Sequence, residues 1–325
     1  MVTSNKSNVV AITGANGFIG RYLVKALSKQ PDLSLRVLVR KSSNNNKWGA
    51  NVTEIEGDLT KPDTLRDFLL EGCIVINLAY SFDATDDQNI TAINNLIDIC
   101  VNKKIKRLIH CSTAAVYGRT QESIVDESSE CNPRTNYGKT KLLIENLLLE
   151  ASQGIFEYVN IRPTAVYGPE GQALMKLISK LENASWFSNY LRSCLFNTRS
   201  LNLVHVNNVV AAIIFLMDLS KNIDGETYIV SEDFEPDNNY KYVENFFIKR
   251  LEKGRLMIPA FPVPLVFLSW ILRLLGRDSI NPKMFYDAEK LRKTGFNYEV
   301  SLDSGLTGLC EWYESKKKNN KTGVS

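Results

Sequence analysis

The chain has 325 residues, of which 44% are hydrophobic and 23% charged, and its formal net charge is +3 at neutral pH. This length suffices for one large or two modest domains with a sizeable core. So small a net charge argues against a nucleic-acid partner, and we interpret the basic cluster at 316–318 as part of a solvated tail.

Cysteine usage and hydropathy favour a cytoplasmic protein. The six cysteines include no C-x-x-C pair, and most fall in apolar segments, as reduced thiols do. Residues 1–8 lack the apolar core of a signal peptide. The apolar stretch at 261–275 contains Pro262, Pro264 and Arg273 and is shorter than the roughly 20 residues that span a membrane. We predict an amphipathic helix there, with contact at a membrane surface as a minor alternative.

The first predicted element is a buried strand at 9–13, which leads into Gly14, Gly17 and Gly20. Glycines at this spacing allow a sharp turn, close approach to a pyrophosphate and tight packing of the next helix. The N-terminus of that helix offers free N–H groups to phosphate oxygens. The pattern predicts a dinucleotide site, although a tight strand-to-helix turn without a ligand is the alternative.

Strands and helices then alternate along most of the chain, with no internal repeat. The predicted strands are 35–39, 52–56, 73–78, 107–112, 156–161, 201–206 and 226–231. The predicted helices are 18–29, 86–101, 136–153, 172–182, 208–219, 240–251, 264–275, one starting near Pro62 and one near the C-terminus. Residues 183–200 are predicted to be irregular, and 119–135 a long loop at a substrate rim. The alternation predicts an α/β fold with a doubly wound parallel sheet.

Candidate ligand contacts collect at the carboxyl ends of the predicted strands, where such sheets bind ligands. Arg40 follows the second strand, where an arginine accommodates a ribose 2′-phosphate, so it favours NADP over NAD. Two solvated cations, Arg40 and Lys41, are the alternative. Asp58 is placed to receive an adenine amino group and to cap the helix that starts near Pro62, two roles that are compatible. The small side chain of Ala79 leaves room for the cofactor.

Tyr137 and Lys141 lie four residues apart on a predicted helix and therefore share a face. A phenol has a pKa near ~10, but a neighbouring lysine and an oxidised nicotinamide would lower it. The hydroxyl of Thr113, at the end of a strand, is placed to hold a substrate oxygen. Together the three groups fit interconversion of an alcohol and a ketone. A surface pair on an amphipathic helix is the alternative interpretation.

Six motifs carry a resemblance to a known family: TGANGFIG at 13–20, GDL at 57–59, NLA at 77–79, STAAVYG at 112–118, YGKTK at 137–141 and RPTAVYGP at 162–169. As a set they resemble the extended short-chain dehydrogenase/reductase family of nucleotide-sugar epimerases, dehydratases and reductases. The match is close over about the first half of the chain and looser beyond it.

The resemblance implies a Rossmann fold with a smaller, mainly helical C-terminal substrate lobe, and a homodimer. It assigns 1–168 to the NAD(P)-binding domain, to which 201–231 returns, 169–200 and 232–318 to the lobe, and 319–325 to a polar tail. It implies catalytic roles for Thr113, Tyr137 and Lys141. The implied cofactor-binding residues are Gly14, Gly17, Phe18, Ile19, Gly20, Arg40, Asp58, Leu59, Leu78, Ala79, Tyr137, Lys141 and Pro163.

Two departures from the family's sequence pattern narrow the range of reactions that we expect. Dehydratases of the family carry an acidic pair directly after the hydroxyl residue, where this chain has Ala114 and Ala115, so sugar dehydration is not expected. The galactose epimerases carry an asparagine where Ala165 stands. The late region is more similar to enzymes that reduce 4-keto nucleotide sugars for surface polysaccharides.

We therefore predict an oxidoreductase acting at C4 of a nucleotide sugar, either a 4-keto-reductase or a 4-epimerase. One alternative is an NADPH-dependent reductase of a hydrophobic ketone such as a steroid or flavonoid, which the segment at 261–275 motivates. The other is a dinucleotide-sensing interaction protein without turnover. A hydrolase or metal site is not expected, because His110 and His205, the two histidines, fall in apolar strand patterns and no G-x-S-x-G or H-E-x-x-H motif occurs.

Overall fold

The computed structural model describes residues 9–41, 48–120, 122–250, 261, 263–274 and 281–322. Residues 1–8 and 42–47, Gln121, residues 251–260 and 275–280, Pro262 and the end of the predicted tail lie outside the described residues. Within the described ranges, no helix combines the length and the apolar character that crossing a membrane requires.

The elements follow the predicted alternation. The strands are β1 (Val9–Thr13), β2 (Ser34–Val39), β3 (Val52–Glu56), β4 (Ile74–Asn77), β5 (Arg107–Cys111), β6 (Ile124–Val125), β7 (Glu157–Pro163), β8 (Ala165–Tyr167), β9 (Leu203–His205), β10 (Glu226–Val230) and β11 (Phe285–Tyr286). The helices are α1 (Phe18–Leu27), α2 (Asp86–Asn102), α3 (Asn136–Ser152), α4 (Met175–Asn183), α5 (Trp186–Phe196), α6 (Val206–Asp218), α7 (Tyr240–Arg250), α8 (Leu265–Leu274), α9 (Glu289–Lys293) and α10 (Leu302–Thr322).

Seven strands form one sheet in the order β10-β7-β5-β4-β1-β2-β3. The pairs with a defined register, from β7 through β5, β4, β1 and β2 to β3, are parallel. The order reverses its direction beside β1, which is the arrangement of a doubly wound sheet. Every residue of β5 is buried, as expected where helices cover both faces. The predicted fold class is therefore confirmed.

The chain divides into two compact units. Unit 1 takes the described residues of Met1–Val116, Thr135–Arg162 and Val210–Tyr228, and unit 2 those of Tyr117–Arg134, Pro163–Val209 and Ile229–Ser325. These bounds differ from the predicted domains chiefly at 117–134 and 163–168, which cluster with unit 2 rather than with unit 1.

Unit 1 has a hydrophobic core between one sheet face and helices α2 and α3. Buried members from the sheet are Ala11, Val75, Leu108 and Tyr158, and members from the helices are Ile93, Leu96, Cys100, Ile144 and Leu148. This packing presses α3, which carries the predicted catalytic pair, against the sheet. The side chain of Thr85 caps the start of α2, where it accepts a hydrogen bond from the Gln88 N–H in a capping box.

Unit 2 contains α4, α7 and α10 around a core that includes Ile178, Phe247 and Leu306. It also contains two short parallel pairs, β6 with β11 and β8 with β9. Two predictions for this unit are wrong. The region predicted to be irregular contains α5, whose start is capped by the Ser185 hydroxyl, and the predicted rim loop contains strand β6. A pair of residues is too short to show a strand period in sequence.

Candidate active site

The three glycines form a close-packed turn between β1 and α1. Gly14 has φ of +71°, a left-handed conformation that favours glycine, and a Cβ there would lie 2.7 Å from the Leu78 carbonyl carbon. The Gly17 N–H donates to the Gly14 carbonyl at 2.9 Å. A Cβ on Gly20 would lie 2.8 Å from the Ala15 Cα, so this position requires glycine for helix packing.

Helix α1 begins at Phe18 with Gly17 as its N-cap, and within the described chain no side chain caps it. Its first N–H groups therefore have no capping side chain among the described residues, as at a helix start that binds phosphate. Phe18 and Ile19, in the first turn, are half-buried. A backbone cradle beside an uncapped helix start fits the pyrophosphate of a dinucleotide.

The end of β4 is held against β1 by side-chain hydrogen bonds. Thr13 Oγ1 donates to Asn77 Oδ1 at 2.6 Å, and the Ala79 N–H lies 3.3 Å from Thr13 Oγ1. Leu78 and Ala79 are half-buried at this edge. The predicted cofactor-contacting backbone therefore has a fixed position relative to the glycine turn.

Arg40 is exposed just after β2, and its charge contributes to holding the pKa of Asp58 below its usual range. The largest cause of that lowered pKa is the hydrogen bond from the Thr60 N–H, which is 2.9 Å from Asp58 Oδ1. The carbonyl of the next residue, Leu59, accepts from Asn95 Nδ2 at 2.8 Å. Asp58 thus closes a local turn with Thr60 and does not cap the short helix at Pro62–Leu65, whose N-cap residue is Lys61 and which has no side-chain cap. The predicted capping role is therefore wrong, and the charged form of Asp58 persists at neutral pH.

Tyr137 lies in the first turn of α3, which begins after Thr135, whose side chain accepts from the Gly138 N–H. Burial raises the pKa of the Tyr137 phenol to about 12, and the nearby Thr113 hydroxyl acts in the opposite direction. The net shift is opposite in direction to the lowering expected from the sequence. In the protein alone the phenol is therefore protonated at neutral pH and able to donate.

Lys141 is buried, 3% exposed, and its Nζ donates to the Cys111 carbonyl oxygen at 2.9 Å. Burial lowers the pKa of this ammonium, while the negative charge of Glu145 opposes the shift. The ammonium also lies 5.2 Å from the centre of the Tyr80 ring, a cation–π contact. The structure thus brings Thr113, Tyr137 and Lys141 together at one edge of the sheet in unit 1.

The sequence analysis did not predict that two aromatic residues lie beside Tyr137. The Tyr80 ring meets the Tyr137 ring edge-on at 5.0 Å between centroids, and the Phe82 ring lies 5.2 Å from it. Phe82 is 78% exposed. The only sequence signal was their position directly after the NLA motif at a strand end. Pro163, predicted beside the nicotinamide, is the last residue of β7 and belongs to unit 2.

A doubly wound sheet with a glycine cradle, a hydroxyl at a strand end and a tyrosine–lysine pair on the next helix defines a dinucleotide-dependent oxidoreductase. The model of the "NAD dependent epimerase/dehydratase family" matches residues 10–231. The chain belongs to this family and is an enzyme of the extended short-chain dehydrogenase/reductase type, which confirms the predicted resemblance.

Among curated proteins, the chain is 28% identical over 343 residues to short-chain dehydrogenase/reductase family 42E member 1 of Xenopus laevis, covering 97% of this chain and 83% of that protein. It is 24% identical to a trifunctional UDP-glucose 4,6-dehydratase/UDP-4-keto-6-deoxy-D-glucose 3,5-epimerase/UDP-4-keto-L-rhamnose-reductase of Arabidopsis thaliana. That match covers 94% of this chain and 46% of the plant protein.

Among solved structures, UDP-glucuronic acid 4-epimerase from Bacillus cereus in complex with NAD has a TM-score of 0.71 at 19% identity, covering 95% of this chain and 98% of that one. dTDP-glucose 4,6-dehydratase from Bacillus anthracis in complex with NAD has a TM-score of 0.70 at 18% identity, covering 95% and 97%. At these identities the likeness shows the shared fold.

Proposed function

We propose that this enzyme transfers a hydride at C4 of a nucleotide sugar, as a 4-keto-reductase or a 4-epimerase. The observation that carries the proposal is the position of the Tyr137 phenol, which lies near the Thr113 hydroxyl and one helical turn from the buried Lys141 ammonium. The nucleotide-sugar class is supported by the named activities of the solved structures that share the fold.

In this mechanism the chain's own residues handle the proton. A bound nicotinamide dinucleotide supplies or accepts the hydride. Tyr137 donates its phenolic proton to the carbonyl oxygen during reduction, or removes the hydroxyl proton during oxidation. Thr113 holds the same oxygen through its hydroxyl, and the Lys141 charge favours the phenolate that results. We propose that Gly14, Gly17, Phe18, Ile19, Gly20, Asp58, Leu59, Leu78, Ala79 and Pro163 surround the dinucleotide.

One pair of assays tests the proposal and separates its two forms. Purified protein is mixed with a 4-keto sugar nucleotide and NADPH, and the absorbance at the nicotinamide band is followed. In parallel it is mixed with a UDP-hexose without added cofactor, and the sugars are separated. A reductase consumes NADPH in the first assay, whereas an epimerase interconverts hexoses in the second. An absence of activity in both assays, with intact dinucleotide binding, would exclude the nucleotide-sugar assignment.

Arg40 supports a finer proposal, a preference for NADP. Its exposed guanidinium follows β2, where it is positioned to pair with a 2′-phosphate. Asp58 nearby is negatively charged, but Thr60 and Lys61 also stabilise that charge. The Arg40 guanidinium is therefore not required to neutralise Asp58. Arg40→Ala should raise the Kd for NADPH about tenfold and leave that for NADH unchanged. Equal effects on both would contradict the preference.

The second candidate is reduction of a hydrophobic ketone, and it is favoured by the exposed Phe82 ring beside Tyr137. An apolar ring so close to the reacting phenol suits a flat apolar substrate. Protection of the protein against thermal unfolding by UDP, at saturating concentration, would count against this candidate. Protection by a steroid or flavonoid ketone and not by UDP would favour it.

We further propose a homodimer formed through α2 and α3, a cytoplasmic location and a role in making nucleotide-sugar precursors of surface polysaccharides. Leu143 and Leu149 on α3 are exposed, by 48% and 40%, which supports a contact on that helix. The six cysteines carry free thiols, which fits a reducing compartment. Light scattering tests the assembly: a monomeric mass, or no effect of Leu143→Asp on a dimer, would contradict it.

A further inference from the structure

A row of four polar side chains crosses the sheet of unit 1. Thr13, Asn77, His110 and Asn160 occupy matching register positions on β1, β4, β5 and β7. Register partners on parallel strands point to the same face. Each of the four is at most 1% exposed. The matching row two residues earlier is Ala11, Val75, Leu108 and Tyr158 and belongs to the core under α3, so the polar row lies on that same face, nearer the carboxyl edge.

The hydrogen bonds along this row determine which nitrogen of His110 carries the proton. Thr13 Oγ1 donates to Asn77 Oδ1, and this orients the Asn77 amide so that Nδ2 lies 3.0 Å from His110 Nδ1. An amide nitrogen only donates, so His110 Nδ1 must accept. The neutral imidazole therefore carries its hydrogen on Nε2.

The far end of the row is polar without partners in the described part of the chain. His110 Nε2 and both side-chain polar atoms of Asn160 are buried there and make no hydrogen bond, and the same holds for Ser112 Oγ, two residues beyond His110 on the same face. Buried polar groups are rarely left unpaired, because each costs free energy of desolvation. Three such side chains, two on the adjacent strands β5 and β7 and one directly after β5, offer the two to four polar partners that an internal water requires.

Lys141 is the cation next to this end of the row. Its charge adds to burial in holding the pKa of His110 well below its usual value. Lys141 Nζ uses one N–H for the Cys111 carbonyl, and an ammonium has three. Other ionisable groups on the facing elements include Glu145 and Tyr137 on α3, with Arg162, Tyr158 and Cys111 on the strands. Glu145 is paired with Arg162, so His110 experiences the positive charge of Lys141.

We propose that His110 and Asn160 hold an ordered water beside the Lys141 ammonium, and that the polar row thereby fixes where this ammonium lies. The water accepts from His110 Nε2–H and from Lys141, and donates to Asn160 Oδ1. His110 and Asn160 are positioning residues, since they act on the reacting phenol through Lys141. The consequence for turnover rests on the proposed function, but the water site and the histidine tautomer do not.

Nitrogen-15 NMR of the imidazoles tests the site without any substrate. The chain has two histidines, so a His205→Gln variant assigns His110. We expect neutral His110 with a slowly exchanging Nε2 proton, no titration between pH 5 and pH 8, and a cross-peak from that proton to a long-lived water. In Asn77→Leu the Nδ1 contact is lost, and the tautomers should mix. A proton on Nδ1, or titration near pH 6.5, would overturn the proposal.

Kinetics test the positioning role. In Asn160→Leu the Lys141 ammonium loses the water that stabilises its charge, so it should favour the Tyr137 phenolate less. We therefore expect the acid-side midpoint of the pH profile of kcat, measured for oxidation, to move upward by about one pH unit and kcat to fall about tenfold. KM for the sugar nucleotide should not change. Asn160→Ser, which keeps a polar atom and leaves space for water, should recover most of the shift.

The matched control is Val159→Ala, which also opens buried space in β7 but lies on the opposite face of the strand. It should reduce stability without moving the pH profile. Equal profiles for Asn160→Leu and Val159→Ala would show that the row is structural only. If no substrate is turned over by the wild type, the proposed function fails while the NMR result still decides the water site.

Discussion

Glu145 and Arg162 form a buried ion pair between α3 and β7. Arg162 Nη2 lies 2.6 Å from Glu145 Oε2, and the side chains are 9% and 6% exposed. Arg162 Nε is also 3.2 Å from each carboxylate oxygen. Since Glu145 lies one turn after Lys141, this pair fixes the helix that carries the candidate catalytic residues.

Removing one partner should destabilise the protein strongly, because it leaves a buried charge without its counter-ion. We expect Glu145→Gln to lower the free energy of unfolding by about 3–5 kcal/mol, measured by urea denaturation. Asp63 and Arg66 form an exposed pair at 2.8 Å and provide the control. Asp63→Asn should change stability by no more than about 0.5 kcal/mol, and equal losses in the two variants would show that burial does not determine the cost.

Tyr137→Phe should reduce kcat by about 10²- to 10⁴-fold, because the variant keeps the ring but cannot donate the proton. Cofactor binding, measured by quenching of protein fluorescence, should persist. The control is Tyr228→Phe, which removes a hydroxyl from a buried tyrosine of β10. Full activity in Tyr137→Phe would instead favour a protein that senses dinucleotide without turnover.

Gly20→Ala should abolish dinucleotide binding and lower stability by several kcal/mol, because its methyl group would overlap the backbone of the glycine turn. Gly308→Ala is the matched control within α10, where a Cβ would meet nothing within 4 Å. That variant should be more stable by about 0.5–1 kcal/mol. Calorimetry with and without NADPH measures both effects. Tight binding of NADPH by Gly20→Ala would show that the turn is not close-packed in solution.

Unit 2 should be more stable in weak acid than in weak base. Burial raises the pKa of Glu232 to about 7 and that of Asp233 to about 6, above their unfolded values near 4. Protonation is thus favoured by folding, so the stabilisation is complete below about pH 4 and is lost as pH rises through 6 to 7. We expect the urea midpoint for unit 2 to fall between pH 5.5 and pH 8.

Glu232→Gln should flatten most of this pH dependence, because a neutral amide keeps an oxygen that accepts from the His205 N–H, now at 2.9 Å from Glu232 Oε1. The control is Asp237→Asn, at an exposed position, which should leave the dependence intact. A midpoint that rises with pH would mean that both carboxyls are ionised in the folded protein.

The glycine spacing and the period-two and helical patterns were sufficient to predict the sheet, since strands β1 and β3 have the predicted bounds and β10 adds to the sheet as expected. Motif spacing also located Thr113, Tyr137 and Lys141 at one edge. These features depend on local sequence and on general rules for parallel sheets.

Long-range features were not predictable in the same way. The sequence does not indicate that Asn77 and Asn160 are neighbours of His110, because only the strand register places each of them beside it. The shift in the pKa of Tyr137 depends on burial, which the i, i+4 spacing to Lys141 does not reveal. Helix α5 has a serine cap at Ser185, but its aromatic, weakly periodic sequence concealed the helix.

The pairing of β6 with β11 has a consequence for biosynthesis. Ile124 lies opposite Phe285, so β6 cannot pair until β11, about 160 residues later in the chain, has been synthesised. The strands of unit 1, by contrast, have all been synthesised once β10 is complete. Unit 1 can therefore begin to fold before residue 285 is made, whereas unit 2 closes only after it. A stop codon before residue 285 would leave the early segment unpaired and exposed to proteases.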